Sequence, residues 1–143
     1  MKSNQLLRIA LNAFLPVVVG SMFFLTSCKK DNNVVNKPAP TLSVSTPTAS
    51  NTAGSAALTT VTVDAPEGGK TLKITVNGVA DASLPDVTLN GSTSEDVDIN
   101  FTIPASATVG AIYTISFQAI DKKNQASLSS TFNVTVSAVP TRT

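Results

Sequence analysis

Asp96-Val97-Asp98-Ile99-Asn100-Phe101-Thr102-Ile103 is the stretch on which the fold turns. Four apolar side chains alternate with four polar ones without a slip, a period of two rather than the 3.6 of a helix. Such a segment is expected to be a strand with one buried face and one wet face. Pro104 ends it, having no N–H to give to a ladder.

The same period recurs on both sides. Leu42 and Val44 alternate with polar residues, and Leu58 to Asp64 places Val61 and Val63 together. Lys70 to Val76 places Leu72, Ile74 and Val76 inward, and a short strand follows at Val87 to Leu89. Ala111 to Ile120 sets Tyr113, Ile115, Phe117 and Ala119 on one face, and Leu128 to Val136 does the same for Phe132, Val134 and Val136. With Asp96 to Ile103 this makes seven strands and no amphipathic helix. Turn signals separate them: Ala65-Pro66-Glu67-Gly68-Gly69, where both glycines are able to take positive φ, then Asn77-Gly78 and Asn90-Gly91. Pro47 to Ala57, rich in Ser, Thr and Ala, reads as a loop. The expected fold is all-β, a seven-stranded antiparallel two-sheet sandwich, with Ile74, Ile99, Phe101, Ile115, Phe117 and Phe132 in its core.

The N-terminal segment has a different character. Lys2 and Arg8 precede an apolar run from Ile9 to Leu25, and Thr26-Ser27-Cys28 closes it with the only cysteine of the chain. A positive n-region, an apolar run and small residues before a cut are the parts of a signal peptide. An uncleaved span competes with this reading, since Ile9 to Thr26 gives 18 residues without a charge. Asn12, Pro16 and Gly20 count against it.

Leu25-Thr26-Ser27-Cys28 resembles the lipobox of bacterial lipoproteins. The resemblance implies cleavage before Cys28, acylation of that residue and attachment to a membrane through lipid, with palmitate among the acyl groups. Ser27-Cys28-Lys29-Lys30-Asp31 is also similar to the start of Bacteroidetes-type outer-membrane lipoproteins, although only Asp31 is acidic here. The expected organisation is a signal peptide over 1–27, a lipid-anchored tether over 28–40, the sandwich over 41–138 and a tail over 139–143. The location it implies is the cell envelope, at the outer membrane, on the periplasmic or the external face.

Composition narrows the chemistry. Loss of Lys2 and Arg8 would leave eight basic residues against nine acidic ones, a net charge of −1 with no basic patch, so nucleic acid is not an expected partner. There is no His, and Cys28 is taken up by lipid, which removes Ser-His-Asp and Cys-His catalysis and His- or Cys-based metal sites. With no Trp and one Tyr, platforms for stacking sugars are scarce. No cofactor is expected.

Tyr113-Thr-Ile-Ser-Phe-Gln-Ala-Ile-Asp121, followed by Asn124 and Thr131-Phe-Asn-Val-Thr-Val136, resembles the last two strands of bacterial Ig-like domains from cell-surface lipoproteins and adhesins. Val61 to Leu72 is similar to the opening hairpin of such domains. The resemblance implies a tyrosine corner at Tyr113, its hydroxyl bonded to backbone upstream. In cadherin-like relatives Asp121 would be a calcium ligand, but Lys122 and Lys123 follow it here, and Asp121 is expected to cap its own turn. Asp96 and Asp98 read as a charged face that resists edge-to-edge aggregation rather than as a catalytic pair. The function implied is non-enzymatic: binding of an envelope protein or surface glycan through the 77–91 and 121–127 connections, or service as a spacer in an envelope assembly, for instance of the polysaccharide-uptake type.

Overall fold

The computed structural model describes residues 37–140. The expected signal peptide over 1–27, Cys28 and the first part of the expected tether, residues 28–36, lie outside the described residues, as do 141–143. Among the described residues there is no helix, and eight strands form two sheets. They are β1 (Thr41–Val44), β2 (Thr48–Thr52), β3 (Ala56–Asp64), β4 (Gly69–Val76), β5 (Val87–Thr88), β6 (Ser94–Thr102), β7 (Ile112–Asp121) and β8 (Ser130–Ser137). One sheet has the order β1-β3-β6, the other β2-β8-β7-β4-β5.

The alternation in β6 does what it dictates: Val97, Ile99 and Phe101 are buried while Asp96, Asp98, Asn100 and Thr102 are exposed. Its partner β3 repeats the pattern in register, Val61 opposite Val97 and Thr59 opposite Ile99. From the second sheet Leu72 and Ile74 of β4, Ile115 and Phe117 of β7, and Phe132 and Val134 of β8 complete the core. All six residues expected at its centre are there. Asn77 and Gly78, at φ 51° and 80°, form a two-residue turn closed by reciprocal bonds between Val76 and Val79, the geometry in which positive φ is needed twice.

Three expectations are corrected. The strands number eight rather than seven, because Thr48–Thr52, within the stretch read as a loop, is β2. The sandwich is not wholly antiparallel either: β2 runs parallel to β8, Thr48 beside Asn133 and Thr52 beside Ser137. The physical reason is that β1 and β2 are one extended run broken at Ser45–Pro47, which leaves the first sheet and joins the second without reversing. The last strand starts at Ser130 instead of Leu128, and Leu128 is 91% exposed.

Candidate functional site

Register decides which connections can act together. Gly69 of β4 lies opposite Asp121 of β7, and Val76 opposite Ile115. The Asn77–Gly78 turn and the 121–127 connection are therefore at opposite ends of the sandwich and cannot form one surface. The later part of the 77–91 connection does return to the 121–127 end.

At that end three connections are bonded to one another. The Lys122 N–H donates to the Gly68 carbonyl at 3.0 Å, and its ammonium to the Gly91 carbonyl at 3.2 Å. Lys70 Nζ donates to Asn124 Oδ1 at 2.7 Å. A Cβ on Gly68, which holds φ 85°, would come within 2.6 Å of the Gly91 carbonyl oxygen, so the close approach of the loops requires glycine. Gly69, expected to share the positive φ, does not have it. Lys37 donates to the Pro66 carbonyl at 3.0 Å, which places the start of the described chain at this same end.

Asp121 is buried beneath these loops. Its Oδ1 accepts the N–H groups of Lys123 and Gln125, both at 2.8 Å, so it caps its own turn as expected. Its Oδ2 is buried without a partner among the described residues. One unengaged oxygen is far from the six to eight oxygens that calcium takes. No group of three His, Cys, Asp or Glu among the described residues is placed to hold a metal. The residues present do not fit that ion.

The opposite end carries the Thr52–Ala56 turn, the Asn77–Val79 turn, the connection over 103–111 and the chain leaving β8. Val79, Val109, Ile112 and Val139 are exposed there. Tyr113 lies close by, its ring 5.4 Å from that of Phe101 and tilted by 49°. The tyrosine-corner reading is corrected: the hydroxyl makes no hydrogen bond among the described residues, and the aromatic contact accounts for its position instead.

The remaining carboxylates have structural tasks. Asp86 Oδ1 accepts the Ile74 N–H at 2.9 Å, and Asp81 Oδ1 accepts the hydroxyl and N–H of Ser83, which hold the Asp81 carboxyl below its ordinary range. Both line a shallow depression of about 560 Å³ beside Leu84. On the outer face of the first sheet, Thr60 donates to Asp98 at 2.9 Å, Thr62 to Asp96 at 2.7 Å and Ser94 to Asp64 at 2.6 Å. Asp98 also lines an open depression of about 500 Å³ with Leu58, Thr60 and Asn100. Asp96 and Asp98 project from one strand into solvent, where no enclosed site brings them together.

No family model matches the chain, and no curated protein matches it. Among solved structures, the PKD domain of an M14-like peptidase from Thermoplasmatales archaeon SCGC AB-540-F20 is similar, with a TM-score of 0.50 at 19% identity. The match covers 71% of this chain and 98% of that one. A Niemann-Pick type C2 protein from Japanese carpenter ant matches with a TM-score of 0.44 at 10% identity, over 69% of this chain and 93% of that one. The first likeness shows the fold: an all-β, two-sheet Ig-like sandwich.

Proposed function

We propose that this chain is a non-enzymatic, lipid-anchored protein of the cell envelope whose Ig-like domain binds a protein partner. The observation that carries the reading is that the acidic side chains lining depressions or lying in the core, Asp81, Asp86, Asp98 and Asp121, are each engaged in a turn, a strand edge or a cross-strand bond. No His or Cys stands beside them among the described residues. A sandwich of this kind offers surfaces and edges, and the similarity to a PKD domain fits that use. The scarcity of aromatic side chains favours a protein over a glycan.

A spacer role is the second reading. Lys37 is bonded at one end of the domain while β8 leaves the other, which suits a module set between two others. The lipid anchor is tested by mass spectrometry of the membrane-bound protein: an acylated Cys28 as first residue is expected, and an intact Met1 would overturn it. Crosslinking in intact cells is expected to trap a protein on the domain. Turnover of a glycan or peptide by the purified chain, abolished by Asp98→Asn, would refute the non-enzymatic reading.

A further inference from the structure

The outer edge of β6 is the longest unpaired strand edge among the described residues. The four edge strands are β1 with four residues, β2 with five, β5 with two and β6 with nine. Bonds at the two ends of the β3–β6 ladder show which backbone groups are free. Ile103 donates to the Ser55 carbonyl at 3.0 Å, and Ala65 to the Thr93 carbonyl at 2.7 Å. Antiparallel pairing alternates bonded and non-bonded residues, and the register between these two bonds is unbroken. Glu95, Val97, Ile99 and Phe101 therefore exchange hydrogen bonds with β3. The N–H and C=O groups of Asp96, Asp98, Asn100 and Thr102 point away from it.

Proteins blunt such edges with short strands, prolines, bulges or covering groups. The other sheet does so along β4: β5 pairs with Thr71 and Leu72, Asp86 Oδ1 takes the Ile74 N–H, and Val79 closes on Val76. In β6 there is no proline and no bulge. Its carboxylates do not shield the edge either, because Thr60 and Thr62 draw Asp98 and Asp96 inboard over β3. What remains is an unbulged template whose outer face is acidic, with Asp64, Asp96 and Asp98 and no lysine or arginine on β1, β3 or β6.

We propose that the β6 edge is a strand-addition site for an extended segment of a partner protein bearing Lys or Arg at alternate positions. The main chain of that segment would bond to Asp96, Asp98 and Asn100, and its basic side chains would lie along the acidic face at the strand's two-residue repeat of roughly 6.8 Å. The same charge opposes a second copy of this chain, since β6 paired with β6 would set carboxylates against one another. The proposal rests on the reading that the domain acts by binding. It can fail alone, because a partner crosslinked in cells at the loops would leave that reading standing.

The test uses the full chain in detergent micelles and fluorescent peptides of about eight residues, close to the length of β6, in which Lys and Val alternate. Anisotropy should show saturable binding of the Lys peptide and none of a Glu counterpart. N-methylation of the peptide amides that face β6 should weaken binding by at least about tenfold, as several hydrogen bonds are removed. Hydrogen exchange should slow at the Asp96, Asp98 and Asn100 amides on binding. Asn100→Pro removes an outward N–H that β3 does not use; it should keep the fold and lose the peptide. D96K/D98K should reverse the preference towards the Glu peptide. Equal binding of the N-methylated peptide would reduce the site to a charged surface and overturn the proposal. Failure of the Lys peptide to bind, or protection of these amides by a second copy of the chain without peptide, would also overturn it.

Discussion

Phe117→Ala is the most direct probe of how the core is built. Phe117 is fully buried in the middle of β7, between Ile74 on β4 and Ser130 on β8. A phenylalanine buries on the order of 150 to 250 Å², which at roughly 25 cal/mol per Å² corresponds to about 4 to 6 kcal/mol for the whole side chain. Alanine retains part of that, and the cavity left behind adds to the loss, so about 3 to 5 kcal/mol is expected. A domain of this size has only about 5 to 15 kcal/mol in all, so the variant should be marginal or unfolded. A loss of 3 kcal/mol lowers the thermal midpoint by roughly 12 °C or more in a domain near 100 residues. The assay is urea or thermal unfolding followed by far-ultraviolet circular dichroism. Leu128→Ala is the control: it removes a similarly apolar but exposed side chain and should stay within about 0.5 kcal/mol. A loss under about 1 kcal/mol for Phe117→Ala, or equal losses for the two, would refute the placement of the core.

Gly78→Ala should cost roughly 1 kcal/mol in the same unfolding assay, because φ 80° is strained for alanine while its Cβ would meet nothing within 4 Å. Gly69→Ala fails for another reason, since its Cβ would lie 2.7 Å from a Leu89 methyl; about 1 to 3 kcal/mol of overpacking is expected. Asp121→Ala removes the acceptor of two backbone N–H groups and should cost roughly 2 to 4 kcal/mol by urea unfolding, with faster amide exchange at Lys123 and Gln125. Asp81, held below its ordinary carboxyl range by Ser83, should titrate low by NMR and return towards that range in Ser83→Ala. Its folded value is depressed, so its contribution to stability is present above the ordinary aspartate range and is lost as pH falls through the folded value.

The core was legible because burial in a two-sheet sandwich forces alternation, and Phe101, Ile115 and Phe132 sit in unbroken alternating runs. β2 was not, for a reason its residues state: Thr48-Ala49-Ser50-Asn51-Thr52 contains no large apolar side chain, so its strand character comes from main-chain pairing with β8. Period-two reasoning detects faces, and β2 has hardly one to detect. The Asp121 cap was legible as local chemistry within a turn. The separation of Asn77–Gly78 from 121–127 was not, because it depends on the β4–β7 register, which no short stretch encodes. The open edge of β6 likewise needs the whole topology: the alternation in Asp96–Ile103 is the same whether or not a strand follows on its far side.

The polarity of the domain bears on how an anchored chain would meet a partner. Lys37 is bonded at the end where β6 begins, beside the 65–69, 89–93 and 121–127 connections. In the proposed lipid-anchored protein nine positions separate Cys28 from Lys37; nine residues of any flexible chain reach roughly 15 to 18 Å, whereas nine residues of β6 extend about 30 Å. The loops at the Lys37 end would stay within reach of the headgroups while most of the β6 edge would not. Deleting residues 30–36 should therefore crowd the loops and spare the edge. With the lipidated chain on vesicles, amine-reactive labelling read by mass spectrometry should fall at Lys122 and Lys123 relative to Lys73, which stands on the exposed face of β4. Peptide binding at β6 should change by less than about twofold, since none of its backbone groups faces the anchored end. An unchanged labelling ratio would show that the loop end does not face the membrane. A partner bound along β6 would then have to be placed without reference to the anchor.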